Sequence, residues 1–256
     1  MNINFVDIDV SKYHSSSQIA RVQTEEWITH NLYCPRCGYS HLIRFENNRP
    51  VADFYCPKCK NEFELKSKSG PLSTKINDGA YETMIARITC KNNPDFLFMN
   101  YSKESGCVKD LILVPKHFFV PDIIEKRNPL STGARRAGWV GCNILIGKIP
   151  EQGRISIINN GKIMLEQDVI KQVGKVQLLE TNDLVARGWI MDVLNCVNNI
   201  RKEIFSLSDV YDFSEYLSAK HPNNHNVHAK IRQQLQKLRE LGFIEFLGNG
   251  SYRKII

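Results

Sequence analysis

Three residues set the chemistry open to this chain: Asp53, Glu64 and Lys66. On a β-strand, side chains two apart project from one face, so Glu64 and Lys66 stand together while Leu65 points into the core. Two carboxylates suit a hard divalent cation such as Mg²⁺, which takes oxygen ligands and keeps several waters. An ammonium beside them can orient or deprotonate an attacking water and offset charge on a phosphate. The combination fits hydrolysis of a phosphodiester. Acid-x-lysine triplets also recur by chance, and strand edges commonly carry lysine and glutamate, so the triplet gains weight only from its surroundings. Here Asp53 follows Arg49-Pro50-Val51-Ala52, and Glu64-Leu65-Lys66 lies centrally in a strand candidate.

Two cysteine pairs, Cys34-Pro-Arg-Cys37 and Cys56-Pro-Lys-Cys59, bracket Asp53. The spacing C-x2-C-x18-C-x2-C falls within the zinc-ribbon range, where four thiolates complete a tetrahedral site. Proline after the first cysteine of each pair, and Gly38 after Cys37, suit tight knuckle turns. Two pairs at this spacing favour a metal over an exchanging disulfide. A closed four-thiolate site is structural and leaves no open catalytic position. Zinc in such a site contributes on the order of 10 kcal/mol to folding. The expectation is one tightly held zinc per chain.

The elements around these residues read as α/β. Ser15 to Asn31 has helical spacing, with Ile19, Val22, Trp27 and Ile28 on one side and serines to cap its start. Val51 to Tyr55 and Glu62 to Lys66 are strand candidates flanking the second cysteine pair. Asn77 to Thr89 reads as a helix; Phe96 to Tyr101 and Val108 to Pro115 read as a hairpin turning at Ser105-Gly106. Asn128 to Gly141 is glycine-punctuated and predicts an ordered loop, and Arg154 to Ile158 resumes strand character. A boundary near Glu180 divides the chain into 1–180 and 181–256. The second part offers helices at Ala186 to Asn199, Ser206 to Lys220 and Asn226 to Leu241, with Gly242 as a stop signal. Two strands around Gly248-Asn249-Gly250 then complete the pattern of a winged helix.

At 256 residues the chain can bury an ample core without a disulfide scaffold. Cys90, Cys107, Cys142 and Cys196 are scattered, mostly among apolar or small neighbours, as reduced core cysteines are. With no signal-peptide pattern in Met1 to Val10 and no stretch able to cross a bilayer, a cytoplasmic location is expected. The formal net charge of +7 accords with a polyanionic partner, or with a surface merely rich in lysine. Two clusters bear on the polyanion. Arg135, Arg136 and Trp139 lie among glycines. The commoner reading of such a cluster is a buried tryptophan with solvated arginines. The functional one is a loop entering a DNA groove, where arginine can take phosphates or guanine edges and an indole can press on bases or methyl groups. Lys230, Arg232, Gln233, Gln234, Lys237 and Arg239 crowd the third C-terminal helix, with Arg253-Lys254 on the wing. A charged outer face is ordinary for an amphipathic helix, but this sign and composition suit a recognition helix.

The stretches Phe45-Glu-Asn-Asn-Arg-Pro-Val-Ala-Asp53-Phe-Tyr-Cys56, Phe63-Glu-Leu-Lys-Ser-Lys68, Ile76-Asn-Asp-Gly-Ala80, Arg135-Arg-Ala-Gly-Trp139 and Ile231-Arg-Gln-Gln-Leu235 closely resemble DpnI-type restriction endonucleases. Those enzymes cut DNA at G-(N6-methyl-A)-T-C when the adenines are methylated. The resemblance implies a PD-(D/E)xK nuclease domain bearing a zinc knuckle, followed by a winged helix. It also implies Mg²⁺-dependent cleavage and reading of methylated DNA by both domains. Carried over by position, Asp53, Glu64 and Lys66 are the catalytic residues. Mg²⁺ is held by Asp53, Glu64 and the Leu65 carbonyl, and zinc by Cys34, Cys37, Cys56 and Cys59. Ala52 stands where the wider superfamily has proline, a position that supplies no ligand. Trp139 becomes the candidate methyl sensor of the nuclease domain. Arg135, Arg136, Lys230, Arg232, Gln233, Gln234, Lys237 and Arg253 are the remaining DNA-contact candidates, and the enzyme is expected to be a monomer. The rival readings are a non-cleaving reader of methylated DNA, which has no need of the Asp53–Glu64–Lys66 set, and an RNA nuclease, which gives the winged helix no task.

Overall fold

The computed structural model describes residues 1–46, 52–90 and 92–255, and packing divides the chain into two units. One comprises Met1–Lys148 with Gln152–Gln177, the other Ile149–Glu151 with Leu178–Ile256. The strand expected from Val51 lies partly outside the described residues, as do Arg49 and Pro50.

In the first unit α1 (Ser16–Asn31) starts at Ser15, whose side chain accepts a hydrogen bond from the Gln18 N–H. Trp27 and Ile28 are fully buried, while Ile19 and Val22 are only half-buried. Then follow β1 (Ile43–Arg44), β2 (Phe54–Tyr55), β3 (Glu62–Ser69), β4 (Ile76–Ala80), α2 (Tyr81–Thr89), β5 (Asp95–Ser102) and β6 (Cys107–Val114). The unit closes with β7 (Ile124–Lys126), β8 (Gly141–Ile144), β9 (Ile155–Asn159), β10 (Lys162–Ile163) and α3 (Glu166–Gln177). The main sheet runs β1-β2-β3-β5-β6-β9-β10, and within it β3 and β5 are parallel. β5 is buried from Asp95 through Tyr101, the continuous pattern of a strand covered on both faces. Its neighbour β3 is more exposed and carries the charged residues.

A second sheet, β4-β8-β7, stands beside the first. Here the expected helix over Asn77 to Thr89 is corrected. Asn77 and Asp78 pair with Asn143 and Cys142 on β8, so residues 76–80 are extended and the helix begins at Tyr81. That strand owes its existence to a partner more than sixty residues away, which local periodicity does not register.

The second unit contains α4 (Leu184–Asn199), β11 (Ile204–Ser206), α5 (Leu207–Tyr211), α6 (Ser214–Lys220), α7 (Val227–Glu240), β12 (Ile244–Gly248) and β13 (Ser251–Lys254). Trp189, Val193, Phe205, Leu217, Ile231, Leu235 and Leu238 form its core. The single helix expected over Ser206 to Lys220 is instead two. Ser206 and Asp209 form a reciprocal cap that starts α5, and the Ser214 hydroxyl donates to the Tyr211 carbonyl where the helix is interrupted. α7 stops at Gly242, whose φ of 71° lets the chain reverse. The wing turns through Asn249 and Gly250, both at positive φ, between Gly248 and its partner Ser251. That geometry is the tight turn that matches strand twist.

Candidate active site and nucleic-acid interface

The four cysteines converge. Sγ of Cys34 lies 3.6 Å from that of Cys59, Cys37 is 3.6 Å from Cys56, and all four atoms fall within 4.8 Å of one another. Zinc–sulfur bonds of about 2.3 Å in a tetrahedron place sulfurs about 3.8 Å apart, so the set fits zinc. Each knuckle closes alike: the Gly38 N–H donates to the Cys34 carbonyl and the Lys60 N–H to the Cys56 carbonyl, both at 2.9 Å. Both closing residues take positive φ, 68° and 61°. Burial pushes the Cys34 and Cys59 thiols upward, so holding them as thiolates calls for a cation among them. The fully buried Asp95 anchors the assembly to β5. It accepts from Arg36 Nε at 2.7 Å, Asn61 Nδ2 at 2.9 Å and the Lys116 N–H at 2.9 Å.

The knuckle sits at the turn between β2 and β3, and the acidic residues stand just beyond it. Asp53 enters β2, its backbone N–H donating to the Phe63 carbonyl. Its carboxylate accepts from the Leu65 N–H at 2.7 Å, which seats it at the peptide joining Glu64 to Leu65. Glu64 and Lys66 share a face of β3, and Lys66 Nζ lies 2.6 Å from Glu64 Oε1. The Leu65 side chain is half-buried rather than in the core. Burial raises the Asp53 pKa; the Leu65 N–H offsets part of this, and the nearby charge of Glu25 adds to it. A carboxylate so placed favours a cation. For Lys66, burial disfavours the ammonium, yet Glu64 and Asp78 outweigh it and keep the lysine protonated beyond its ordinary range.

Three charged neighbours escaped the sequence reading. Glu25, buried on α1, is held by Arg21 at 2.6 Å and Arg44 at 2.9 Å. Asp78 on β4 contacts Lys66 Nζ at 2.6 Å. Arg87 on α2 lies 3.2 Å from Glu64 Oε2. The available signals were a carboxylate beside Trp27 and Ile28 on the apolar face of α1, and an aspartate inside the quoted Ile76–Ala80 stretch.

A cleft of about 720 Å³ opens beside β3 and the first turn of α1. Among the described residues its charged lining is entirely cationic: Arg21, Lys66, Lys68, Lys75 and Lys103. Elsewhere in this unit, β7 and β8 form a ribbon carrying the loop 127–140. The loop is ordered as expected: the Gly138 N–H donates to the Leu130 carbonyl and the Leu130 N–H to the Trp139 carbonyl. Arg135 and Arg136 are exposed, and the Arg136 guanidinium lies over the Trp139 ring at 4.5 Å. The edge of that ring abuts Gly141, where an added Cβ would come within 2.8 Å of it.

In the second unit Arg232 and Gln233 are exposed on α7, and Lys230 and Lys237 are half-buried. Arg232 donates to the Tyr211 hydroxyl at 2.7 Å, and Tyr211 stacks on His228 at 4.0 Å. Arg253 lies 2.9 Å from Glu245 across the wing. Gln234 requires a correction. Expected on the DNA face, it is buried, because it falls three residues after Ile231 and four before Leu238 on the inward stripe.

No helix among the described residues is long and apolar enough to cross a membrane. Residues 1–182 match the DpnI family, described as the Dam-replacing family, and residues 185–254 match its Dam-replacing HTH domain. With some seven-tenths of its length matched by the first and nearly all of the remainder by the second, the chain belongs to the DpnI, or Dam-replacing, family.

Proposed function

We propose that this chain is a Mg²⁺-dependent endonuclease of the PD-(D/E)xK type that cuts duplex DNA at G-(N6-methyl-A)-T-C when the adenines are methylated. Membership of a restriction endonuclease family supports a nuclease, and its HTH domain supports DNA as the partner. The observation that carries the reading is the Asp53 carboxylate bonded to the Leu65 N–H, next to a Glu64–Lys66 pair on one strand face. Asp53, Glu64 and the Leu65 carbonyl would hold Mg²⁺, an all-oxygen set that leaves room for waters. When bound, the ion would offset charge developing on the phosphate and lower the pKa of a coordinated water. Lys66, kept cationic by its carboxylate neighbours, orients the attacking water toward phosphorus. The cationic cleft beside it is suited to the backbone of the cut strand.

Arg135 and Arg136 hold the duplex at the loop, and Trp139 presents an apolar surface to the methyl groups in the major groove. Arg232, Gln233, Lys230, Lys237 and Arg253 contact the duplex from the winged helix. Zinc in the cysteine cluster keeps β2 and β3, and hence Asp53 and Glu64, in register. The enzyme acts in the cytoplasm as a single chain against DNA bearing a mark the host lacks.

The test is digestion of methylated plasmid, its unmethylated twin and RNA, with Mg²⁺ or chelator. Only methylated plasmid with Mg²⁺ should be cut, and Asp53→Ala should abolish cutting while retaining binding. Cutting by Asp53→Ala, or cutting of both plasmids alike, would overturn the proposal.

A further inference from the structure

We infer that Asp78 is a positioning residue for Lys66, fixing where the ammonium stands at the active centre. The inference rests on the nuclease reading above and adds a residue that the strand motif does not contain. Lys66 Nζ is shared by two carboxylates at equal distance, 2.6 Å from Glu64 Oε1 and 2.6 Å from Asp78 Oδ1. Their situations differ. Glu64 precedes Lys66 by two residues on the same strand and shares its carboxylate with Arg87, and the nuclease reading commits it to the metal. Asp78 comes from the second sheet and approaches Lys66 from outside β3.

A lysine ends in a point charge on four rotatable carbons, so one contact does not set its position. This one also lines the open cationic cleft, and its side chain is 20% exposed there. A second, rigidly mounted anion supplies the missing constraint, and Asp78 is mounted so. Its side chain is only 9% exposed. β4 pairs with β8 at Asp78 and Cys142, and the ladder shifts by one residue between Asp78 and Ala80. The Tyr81 N–H donates to the Val140 carbonyl immediately afterwards, so the aspartate is pinned on both sides. The strand that pins it also bears Gly141, on which Trp139 rests. The mount of the lysine and the root of the loop are therefore one piece of structure.

The experiment compares wild type, Asp78→Asn, Asp78→Glu and Lys66→Ala on a methylated duplex with Mg²⁺, reading kcat, KM, duplex Kd without metal, and Tm. Displacement of a catalytic group by about 1 Å can cost up to a hundredfold. Asp78→Asn should therefore lose between about tenfold and a hundredfold in kcat, with KM and Kd unchanged. Asp78→Glu restores the charge one methylene out of place and should fall between Asn and wild type. A purely structural ion pair would lower Tm and leave kcat per folded molecule intact. Wild-type kcat in either folded variant, or loss of affinity in step with cutting, overturns the inference. If Asp78→Asn does not fold, Asp78→Glu decides alone. Should wild type leave the methylated duplex uncut, the nuclease reading falls, and this inference with it. Lys66→Ala cutting at the wild-type rate would remove the role of the lysine, and so of Asp78, while leaving a nuclease. If Lys66→Ala is inert while Asp78→Asn cuts normally, only the role of Asp78 is lost.

Discussion

Gly141→Ala tests whether the seat of Trp139 governs methyl discrimination. The new methyl carbon would lie 2.8 Å from both Cη2 and Cζ3 of the indole and 3.3 Å from Arg127 Nη1. Carbon atoms in ordinary contact are about 3.5–4.0 Å apart, so one partner must give way by roughly 1 Å. The backbone of β8 is held by β4 and β7 on its two sides. The indole is a rigid plate, so it is the part that moves, and Arg136 moves with it. Each buried methyl contributes about 0.8 kcal/mol, and a fully methylated site presents two. Losing both contacts amounts to about 1.6 kcal/mol, or some fifteenfold in kcat/KM. The assay is single-turnover cleavage of matched duplexes, methylated and unmethylated, at fixed salt. Methylated duplex should lose about tenfold or somewhat more, while residual cutting of unmethylated duplex stays level. Trp139→Ala should behave alike, and the double variant should be no worse than either single one. Undiminished discrimination in Gly141→Ala would refute the reasoning, as would an equal loss on both duplexes.

Two further outcomes concern stability. Cys56→Ser removes one fully buried member of the thiol set. Since zinc contributes on the order of 10 kcal/mol, comparable to the whole stability of a domain, zinc content should vanish and the melting transition of the first unit should collapse. A variant that lacks zinc and melts normally would count against a structural metal. In the second unit, the hydrogen bond from Lys202, followed by that from the Ser206 N–H, lowers the Asp209 pKa to about 2. The folded pKa lies below the usual carboxylate value near 4, so this stabilisation is present above about pH 4 and disappears as pH falls toward 2. Asp209→Asn should flatten the acid limb of the melting curve between those limits; an unchanged limb would assign the acid sensitivity elsewhere.

The parts of the site legible in sequence were those written in local spacing. Cys34, Cys37, Cys56 and Cys59 announce themselves by two identical pairs, and Glu64 and Lys66 by the two-residue repeat of a strand. The winged helix was legible for the same reason, from Ile231, Leu235 and Leu238 on α7 and from the glycine-rich wing turn. Glu25, Asp78 and Arg87 reach the centre from three other elements, and no spacing rule joins them to Lys66. β4 is hidden in the sequence because Ala80, Met84, Ile85 and Ile88 carry the helical period while the residues before them are extended by pairing with β8. Gln234 suggests a DNA contact by chemical type, but its place in the 231–234–235–238 stripe points inward.

The parallel pairing of β3 with β5 obliges the chain to leave the sheet after Ser69 and travel back to Asp95. Asp78 and Arg87 ride on that return journey. A protease nick in the exposed stretch from Ser73 to Lys75 would therefore part the chain between the lysine and its outside anion, leaving Glu64 and Lys66 on one fragment and Asp78 and Arg87 on the other. Neither fragment alone would give Lys66 both of its anions, so the second could face the lysine only while the two halves stayed assembled around the intact sheet.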